Sequence, residues 1–93
     1  MSVGNRRSEL EIIRDILSFG NGRTTVLRYG VNLSHAQMQK YLGFMEKSGL
    51  FELERHGSRA LSFQITDKGR AALTQMDQLF ELVGIDSGRD REE

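Results

Sequence analysis

The segment from Leu33 to Gly49 predicts one short helix whose start and end are both encoded in its own residues. Ser34 is a favourable N-cap, and Gln37 follows three residues later, as in a capping box. At the other end, Gly49 can adopt the left-handed conformation that terminates many helices. The helix is therefore bounded on both sides, and the rest of the chain must be organised around it.

The two faces of this helix differ in character. One carries apolar residues at three- and four-residue spacing, namely Met38, Tyr41, Leu42 and Met45. The centre of the opposite face consists of Ala36, Lys40, Gly43 and Lys47. Amide side chains border that face, and Glu46 lies only at its margin. A surface of amides and ammonium groups suits a DNA groove.

The length and composition indicate a single globular domain. A chain of 93 residues with 38% hydrophobic and 28% charged residues can bury a modest core, and a dimer interface would help it. No apolar run could cross a bilayer and no signal-peptide pattern is present, so we expect a cytoplasmic protein without a membrane partner. The absence of Cys excludes disulfides and thiolate metal sites.

The charges are distributed unevenly although the formal net charge is zero. Residues 1–70 hold 11 Lys or Arg and 7 Asp or Glu, a balance of +4, whereas residues 71–93 hold 2 and 6, a balance of −4. A basic module with an acidic tail can bind phosphate locally, while its overall attraction to DNA stays weak. This distribution argues against a protein that coats DNA indiscriminately.

The N-terminal part predicts an arm and a first helix. Residues 1–7, with Arg6 and Arg7, form a flexible basic arm that either enters a minor groove or is merely untethered. Ser8 and Glu11 repeat the capping-box pattern at the start of an amphipathic helix. The run 20–22, Gly-Asn-Gly, is predicted to be only a turn.

A shorter second helix is predicted from Arg23 onwards, with Thr24 or Thr25 as its cap. Its exposed N–H groups, helped by Arg23, could hold a DNA phosphate, although plain capping is an equally good interpretation. Asn32 is a favourable left-handed residue before the helix that begins after Ser34. The pattern thus predicts a helix, a tight turn and a helix.

After Gly49 the periodicity changes from helical to alternating. Phe51 and Leu53 point to one side of a predicted strand. A polar turn over 56–59 follows, and the apolar residues of the return strand, on one face, are Leu61, Phe63 and Ile65. This is a two-stranded β-hairpin whose tip carries Arg55, His56 and Arg59.

A last helix is predicted over 67–83, followed by a disordered polar tail over 84–93. Its apolar residues resemble a short coiled-coil seam, and the predicted dimer interface comprises Leu73, Met76, Leu79, Phe80 and Val83. Because so small a core cannot cover the whole helix, we expect part of it to contact a second copy. The alternative is that it packs only on the first helix of its own chain.

In this order of elements the chain resembles the small archaeal winged helix-turn-helix DNA-binding regulators, including those that dimerise through a C-terminal helix. The matching runs are RSELEII at 7–13, NLS at 32–34, YL at 41–42, SGL at 48–50 and ITDKG at 65–69. The resemblance implies an α+β, mainly helical fold, with a winged helix-turn-helix domain over 8–66. The chain departs from the family in its neutral charge and in having Phe63 where Tyr is frequent.

The resemblance also implies that the helix after Ser34 lies in the major groove and that the hairpin touches the neighbouring backbone or minor groove. Side-chain chemistry agrees, since glutamine amides can read adenine and lysine can reach guanine or phosphate. The predicted DNA-binding residues are Arg23, Thr24, Ser34, His35, Gln37, Gln39, Lys40, Lys47, Arg55, His56 and Arg59. For Phe44, packing beneath the hairpin is favoured over contact with a thymine methyl group.

These patterns favour a homodimeric, sequence-specific transcriptional regulator that binds double-stranded DNA. The alternatives are an architectural or chromatin protein that contacts phosphates alone, and a winged-helix module that binds protein. An enzyme is not expected, because both His residues lie in predicted exposed positions, no Cys is present and the carboxylates are scattered. No metal, cofactor or small-molecule ligand is predicted.

Overall fold

The computed structural model describes residues 7–84, which form four helices and three short strands. In chain order these are α1 (Glu9–Ser18), β1 (Asn21–Arg23), α2 (Thr24–Val31), α3 (His35–Lys47), β2 (Phe51–His56), β3 (Arg59–Ile65) and α4 (Asp67–Val83). This order confirms the predicted winged helix-turn-helix fold. The predictions for arm residues 1–6 and tail residues 85–93 lie outside the described residues.

The helix boundaries follow local capping signals. Ser8 Oγ accepts a hydrogen bond from the Glu11 N–H at 3.1 Å, and Glu11 Oε1 accepts one from the Ser8 N–H at 2.8 Å. An equivalent capping box begins α3, and Asn32 before it has the predicted left-handed φ of 62°. Gly49, with φ of 78°, follows the end of α3. Each of these predictions is confirmed, because each depends on residues close in sequence.

The cap of α2 differs from the prediction. Arg23 occupies the N-cap position, and its side chain makes no capping hydrogen bond. The hydroxyl of Thr24 instead donates to the carbonyl oxygen of Ala60 in β3, at 2.9 Å. The threonine therefore ties the helix to the sheet, a contact that sequence spacing does not reveal.

The sheet has three strands rather than the predicted two. Asn21 and Gly22, expected to form only a turn, and Arg23, expected to open the second helix, pair antiparallel with β3, and the strand order is β1-β3-β2. Gly22 lies opposite Phe63, and the Ile65 N–H donates to the Gly20 carbonyl oxygen at 2.7 Å. So short a polar strand has no periodicity of its own, since it exists only through pairing with a distant segment.

The hairpin contains a bulge that moves Leu61 off the core face. Glu54 pairs with Ser62 whereas Arg55 pairs with Ala60, so Leu61 is the extra residue. A bulge reverses the alternation of side chains beyond it. Leu61 is therefore 44% exposed, and Ala60 packs against the core in its place. The prediction that Leu61 shares a buried face with Phe63 was wrong for this reason.

The core lies between the first three helices and the sheet. Its most deeply buried large side chains come from α1, α2, α3 and β2, and are Ile16, Leu17, Leu27, Met45 and Phe51. The helix α4 packs against α1, with Leu73 and Met76 partly buried against the core and Phe80 buried. None of the helices within residues 7–84 is long and apolar enough to cross a membrane.

A group of hydrogen bonds fixes the start of α4 against the end of α3. The Thr66 hydroxyl lies 2.6 Å from the Gly49 carbonyl oxygen and 3.1 Å from that of Leu50, and it accepts from the Gly69 N–H at 3.0 Å. Lys68 Nζ donates to the Ser48 carbonyl oxygen at 2.7 Å. We call residues 48–50 and 66–69 the α3–α4 junction. It sets the orientation of α3 relative to the wing and α4.

Two arginines stabilise the packing around α1. Arg7, predicted to belong to the arm, donates to Asp15 at 2.8 Å and to the Val31 carbonyl oxygen at 2.7 Å, and is thus anchored to the folded domain. Arg14 joins α1 to α4 through Asp77, at 2.8 Å. Burial alone would lower the pKa of Arg14, but its hydrogen bonds to Asp77 and Asp15, with their charges, raise the pKa overall.

Candidate nucleic-acid interface

The outer face of α3 is a continuous exposed surface. The rotation of the helix about its axis is fixed by the opposite face, on which Met38, Tyr41, Leu42 and Met45 are all buried, as the sequence predicts. The exposed residues of the helix are His35, Ala36, Gln37, Gln39, Lys40, Gly43, Phe44, Glu46 and Lys47. A helix held on one side and open along the other can enter a DNA major groove.

The two glutamines predicted to read bases differ in their free hydrogen-bonding groups. Gln37 Oε1 accepts the Ser34 N–H at 2.9 Å, so the capping box occupies its carbonyl and leaves its amide donors free. The Gln39 side chain has no hydrogen-bond partner within residues 7–84 and retains both donor and acceptor. A side chain that donates and accepts together is what an adenine edge requires. Gln39 meets that requirement, whereas Gln37 meets it only if the capping box opens.

The two lysines of the face also differ. Lys40 Nζ donates to Glu9 Oε2 of α1 at 2.9 Å, and both side chains are exposed. This hydrogen bond, together with the Glu9 charge, raises the pKa of Lys40. Lys47, the residue immediately before the α3–α4 junction, has no carboxylate partner in the described part of the chain. Its ammonium group is available to a phosphate.

Phe44 lies on the outer face and is 48% exposed, so the prediction that it packs beneath the hairpin was wrong. The reason is its direction. Glu46, two residues later, forms an ion pair with Arg55 and so faces the wing. Residues two apart lie on nearly opposite sides of a helix, and Phe44 therefore points away from the wing.

The wing ends in a two-residue turn, 57–58, in which Gly57 has a φ of 66°. Arg55 is held by Glu46 and also donates to the Ser58 carbonyl oxygen at 3.3 Å. His56 and Arg59, opposite each other at the end of the ladder, are exposed. Neither side chain has a hydrogen-bond or ion-pair partner among residues 7–84.

The start of α2 and the outer side of β3 form a groove of about 420 Å³. It brings together three of the predicted DNA-binding residues, with Arg23 and Thr24 on one side and Arg59, from a distant part of the sequence, on the other. Glu54 also lines it. Its carboxylate accepts a hydrogen bond from Ser62 at 3.0 Å and offsets part of the positive charge. Neither this groove nor the Glu9–Lys40 pair could be found from the sequence, because both depend on tertiary packing.

Comparison with solved structures shows what this arrangement is similar to. Sso10a-2, a DNA-binding protein from Sulfolobus solfataricus, is 25% identical, with a TM-score of 0.74 over 84% of this chain and 83% of that one. The transcriptional regulator BldR from the same organism is 23% identical, with a TM-score of 0.64 over 83% and 58% of the two chains. The M. tuberculosis transcriptional regulator MOSR, solved in complex with DNA, is 20% identical, with a TM-score of 0.65 over 84% and 59%.

The likenesses to BldR and MOSR concern the fold alone, and the chain spans about three fifths of the length of each. No curated protein matches the sequence. The family model for the winged helix-turn-helix matches residues 6–84, which include every helix and strand described above. The chain belongs to the winged helix-turn-helix family.

Proposed function

We propose that this protein is a homodimeric, sequence-specific DNA-binding regulator of transcription that inserts α3 into the major groove. The observation that carries the proposal is the outer face of α3, which is exposed and contributes no carboxylate of its own at its centre, on a helix whose other face is buried in the core. Sso10a-2, a DNA-binding protein, and MOSR, solved with DNA, lend support through their similar folds.

Each polar residue of the surface then has a defined role. Gln39 reads an adenine edge, and Lys40 contacts a guanine edge or a phosphate. Lys47 and the start of α2, with Arg23 and Thr24, contact backbone phosphates. The leading tip of α3, formed by Ser34, His35 and Gln37, and the wing residues Arg55, His56 and Arg59 complete the contacts. Base contacts supply specificity, while phosphate contacts fix the position of the domain.

The proposed dimer uses the end of α4. Leu79, Leu82 and Val83 are 46%, 84% and 59% exposed, which makes an apolar surface at the end of this helix. Leu82 was not among the predicted interface residues. The chain itself already covers Phe80 and partly covers Leu73 and Met76, so these can contribute little to a partner. Two copies would place their α3 helices about 34 Å apart, in successive major grooves.

The decisive experiment is selection of bound sequences from a random duplex library at near-physiological salt. A sequence-specific dimer enriches a palindromic motif, because its two-fold symmetry is repeated in the site. Recovery of DNA without a motif would instead indicate an architectural protein that binds phosphates. Failure to recover any DNA would overturn the proposal.

The base-reading role of Gln39 can be separated from general binding. Gln39→Ala is expected to weaken binding to the selected site by about 10-fold or more, and to mixed-sequence DNA much less. Gln75→Ala, which removes an exposed amide from α4, is the matched control and should change neither. Equal losses on both DNAs, measured by fluorescence anisotropy, would contradict base reading by Gln39.

The dimer interface has its own test. Leu82→Glu is expected to give a folded monomer, because it places a charge in the proposed apolar contact. Val26→Glu places the same charge at an exposed apolar position on a different helix, α2, and should leave the dimer intact. Molar mass from light scattering separates the two outcomes. An unchanged dimer in Leu82→Glu would exclude this end of α4 as the interface.

One observation favours a second function, that of a protein-binding module. The exposed ring of Phe44 adds an apolar group to the otherwise polar outer face of α3, and such groups are frequent anchors in protein interfaces. In that case Phe44→Ala would abolish capture of the partner, while Lys47→Ala would leave it intact. If the protein is instead a DNA-binding regulator, Lys47→Ala should weaken its binding to DNA.

A further inference from the structure

The carboxylate of Glu9 lies beside the lysine at the centre of the outer face of α3. Its Oε2 atom accepts a hydrogen bond from Lys40 Nζ at 2.9 Å, although the two residues come from different helices and lie far apart in sequence. Glu9 is the first residue of α1, and it does not belong to the capping box that begins that helix, which uses Glu11. Its contact with Lys40 is therefore not required for capping.

The Glu9–Lys40 pair differs from the other ion pair near this surface. Glu46 and Arg55 are about 40% exposed and join α3 to the wing. Lys40 and Glu9 are 61% and 69% exposed, so water competes with their contact and opening the pair costs little. An exposed lysine in such a pair is held in place but can be released to a stronger acceptor.

We propose that Glu9 is a specificity-determining residue that lowers the affinity of the α3 surface for random DNA and yields Lys40 to the bases of the correct site. The inference rests on the proposed function. On random DNA, the carboxylate offsets the charge of Lys40 and is itself repelled by phosphates. At the correct site, acceptor atoms of a guanine edge replace the carboxylate and stabilise the lysine in its new position.

The central experiment compares Glu9→Gln with the unmodified protein on a mixed-sequence DNA duplex. The variant is expected to bind about threefold to tenfold more tightly, because an uncompensated lysine then faces the phosphates. The logarithmic salt dependence of its affinity should become steeper by about 0.9, the value for one additional phosphate contact. On the selected site the gain should be smaller, so the ratio of specific to non-specific affinity falls.

Two controls distinguish this role from a general effect of charge or structure. Glu81→Gln removes the same charge from an exposed position on α4 and is expected to leave both the affinity and the salt dependence nearly unchanged. Lys40→Gln should weaken binding to mixed-sequence DNA more in the Glu9→Gln background than in the unmodified protein. This non-additivity measures the coupling between the two side chains directly.

The possible outcomes separate the inference from the proposed function. If the unmodified protein binds no DNA, both are overturned. If it binds its selected site but Glu9→Gln leaves affinity for mixed-sequence DNA and its salt dependence unchanged, the inference fails and the proposed function stands. Equal tightening by Glu81→Gln would assign the effect to net charge and would also overturn the inference.

Discussion

The polar groups and the glycine of the α3–α4 junction contact other parts of the chain, whereas several of those on the outer face of α3 do not. At the junction, the Thr66 hydroxyl, the Gly69 N–H and the Lys68 ammonium group all have partners within the chain. On the outer face, the side chains of Gln39 and Lys47 have none among residues 7–84. The junction therefore uses its hydrogen-bonding groups within the fold, whereas the outer face leaves those of the Gln39 and Lys47 side chains accessible to another molecule.

A glycine in each region shows the same contrast. A Cβ added at Gly69 would lie 2.3 Å from the Leu50 carbonyl oxygen and 2.7 Å from a side-chain carbon of Ile65. A Cβ added at Gly43 would meet no described atom within 4 Å beyond its neighbours and its own helix backbone. Close packing requires the first glycine. Gly43 has no such role in the fold, and its lack of a side chain leaves room for another molecule to approach.

The largest expected effect is that of Gly69→Ala. The added methyl group must displace the backbone at Leu50, and overpacking of this kind costs about 1–3 kcal/mol. The free energy of unfolding should fall by that amount, which lowers the Tm by about 4–8 °C per kcal/mol in a domain of this size. A thermal melt followed by circular dichroism measures it. An unchanged Tm would mean that the junction is not tightly packed.

Thr66→Ala is expected to have the next largest effect. It removes the N-cap of α4 and the hydroxyl that contacts the end of α3, which together are worth about 1–2 kcal/mol. Thr66→Ser keeps the hydroxyl and is the matched control. Chemical denaturation should show a lower midpoint for the alanine variant only. Equal loss in both variants would assign the effect to the methyl group instead.

Gly43→Ala should act in the opposite direction to Gly69→Ala. Alanine is more favourable than glycine inside a helix by about 0.5–1 kcal/mol, and nothing here opposes the methyl group. The same denaturation experiment is expected to show a stabilised protein. A destabilised Gly43→Ala variant would contradict the contrast between the two glycines, since it would reveal a packing constraint on the outer face.

The smallest expected effects on stability are those of two lysines, one from each region. Lys47→Gln and Lys68→Gln should each change the free energy of unfolding by less than about 0.5–1 kcal/mol, because both positions are exposed. Only Lys47→Gln should reduce the salt dependence of DNA binding, by about 0.9 in logarithmic slope. Anisotropy titrations over a range of salt concentrations measure it. An equal reduction by Lys68→Gln would extend the DNA surface to the junction.

The parts of the fold predicted correctly from sequence are those encoded locally. The capping boxes at Ser8 and Ser34, the left-handed turn at Asn32 and the helix end at Gly49 each depend on residues a few positions apart. The third strand and the displaced Leu61 were missed, because pairing and a bulge in a distant segment determine them. Neither the pairing of the third strand nor the bulge can therefore be predicted from local sequence patterns.

The same distinction applies to the candidate site. Periodicity identifies which residues of α3 face outwards, because burial of the opposite stripe fixes the helix rotation. It does not reveal that Gln37 is engaged in its own cap, that Lys40 pairs with Glu9, or that Phe44 points away from the wing. These depend on hydrogen-bond geometry and on neighbours from other elements. A helical-wheel projection therefore predicts the exposed face of α3, but only the tertiary structure shows which side chains on that face lack partners.

The pairing of β1 with β3 has a consequence for the order of folding. It joins Asn21 to Gln64 and Arg23 to Ser62, so α2 and α3 lie inside a loop whose ends the sheet closes. Closing so long a loop costs chain entropy before any contact offsets it, whereas capped helices form from local contacts. We expect the helices to be structured in the folding transition state and β1 to dock afterwards. Weakening β1 should then accelerate unfolding while leaving the folding rate nearly unchanged.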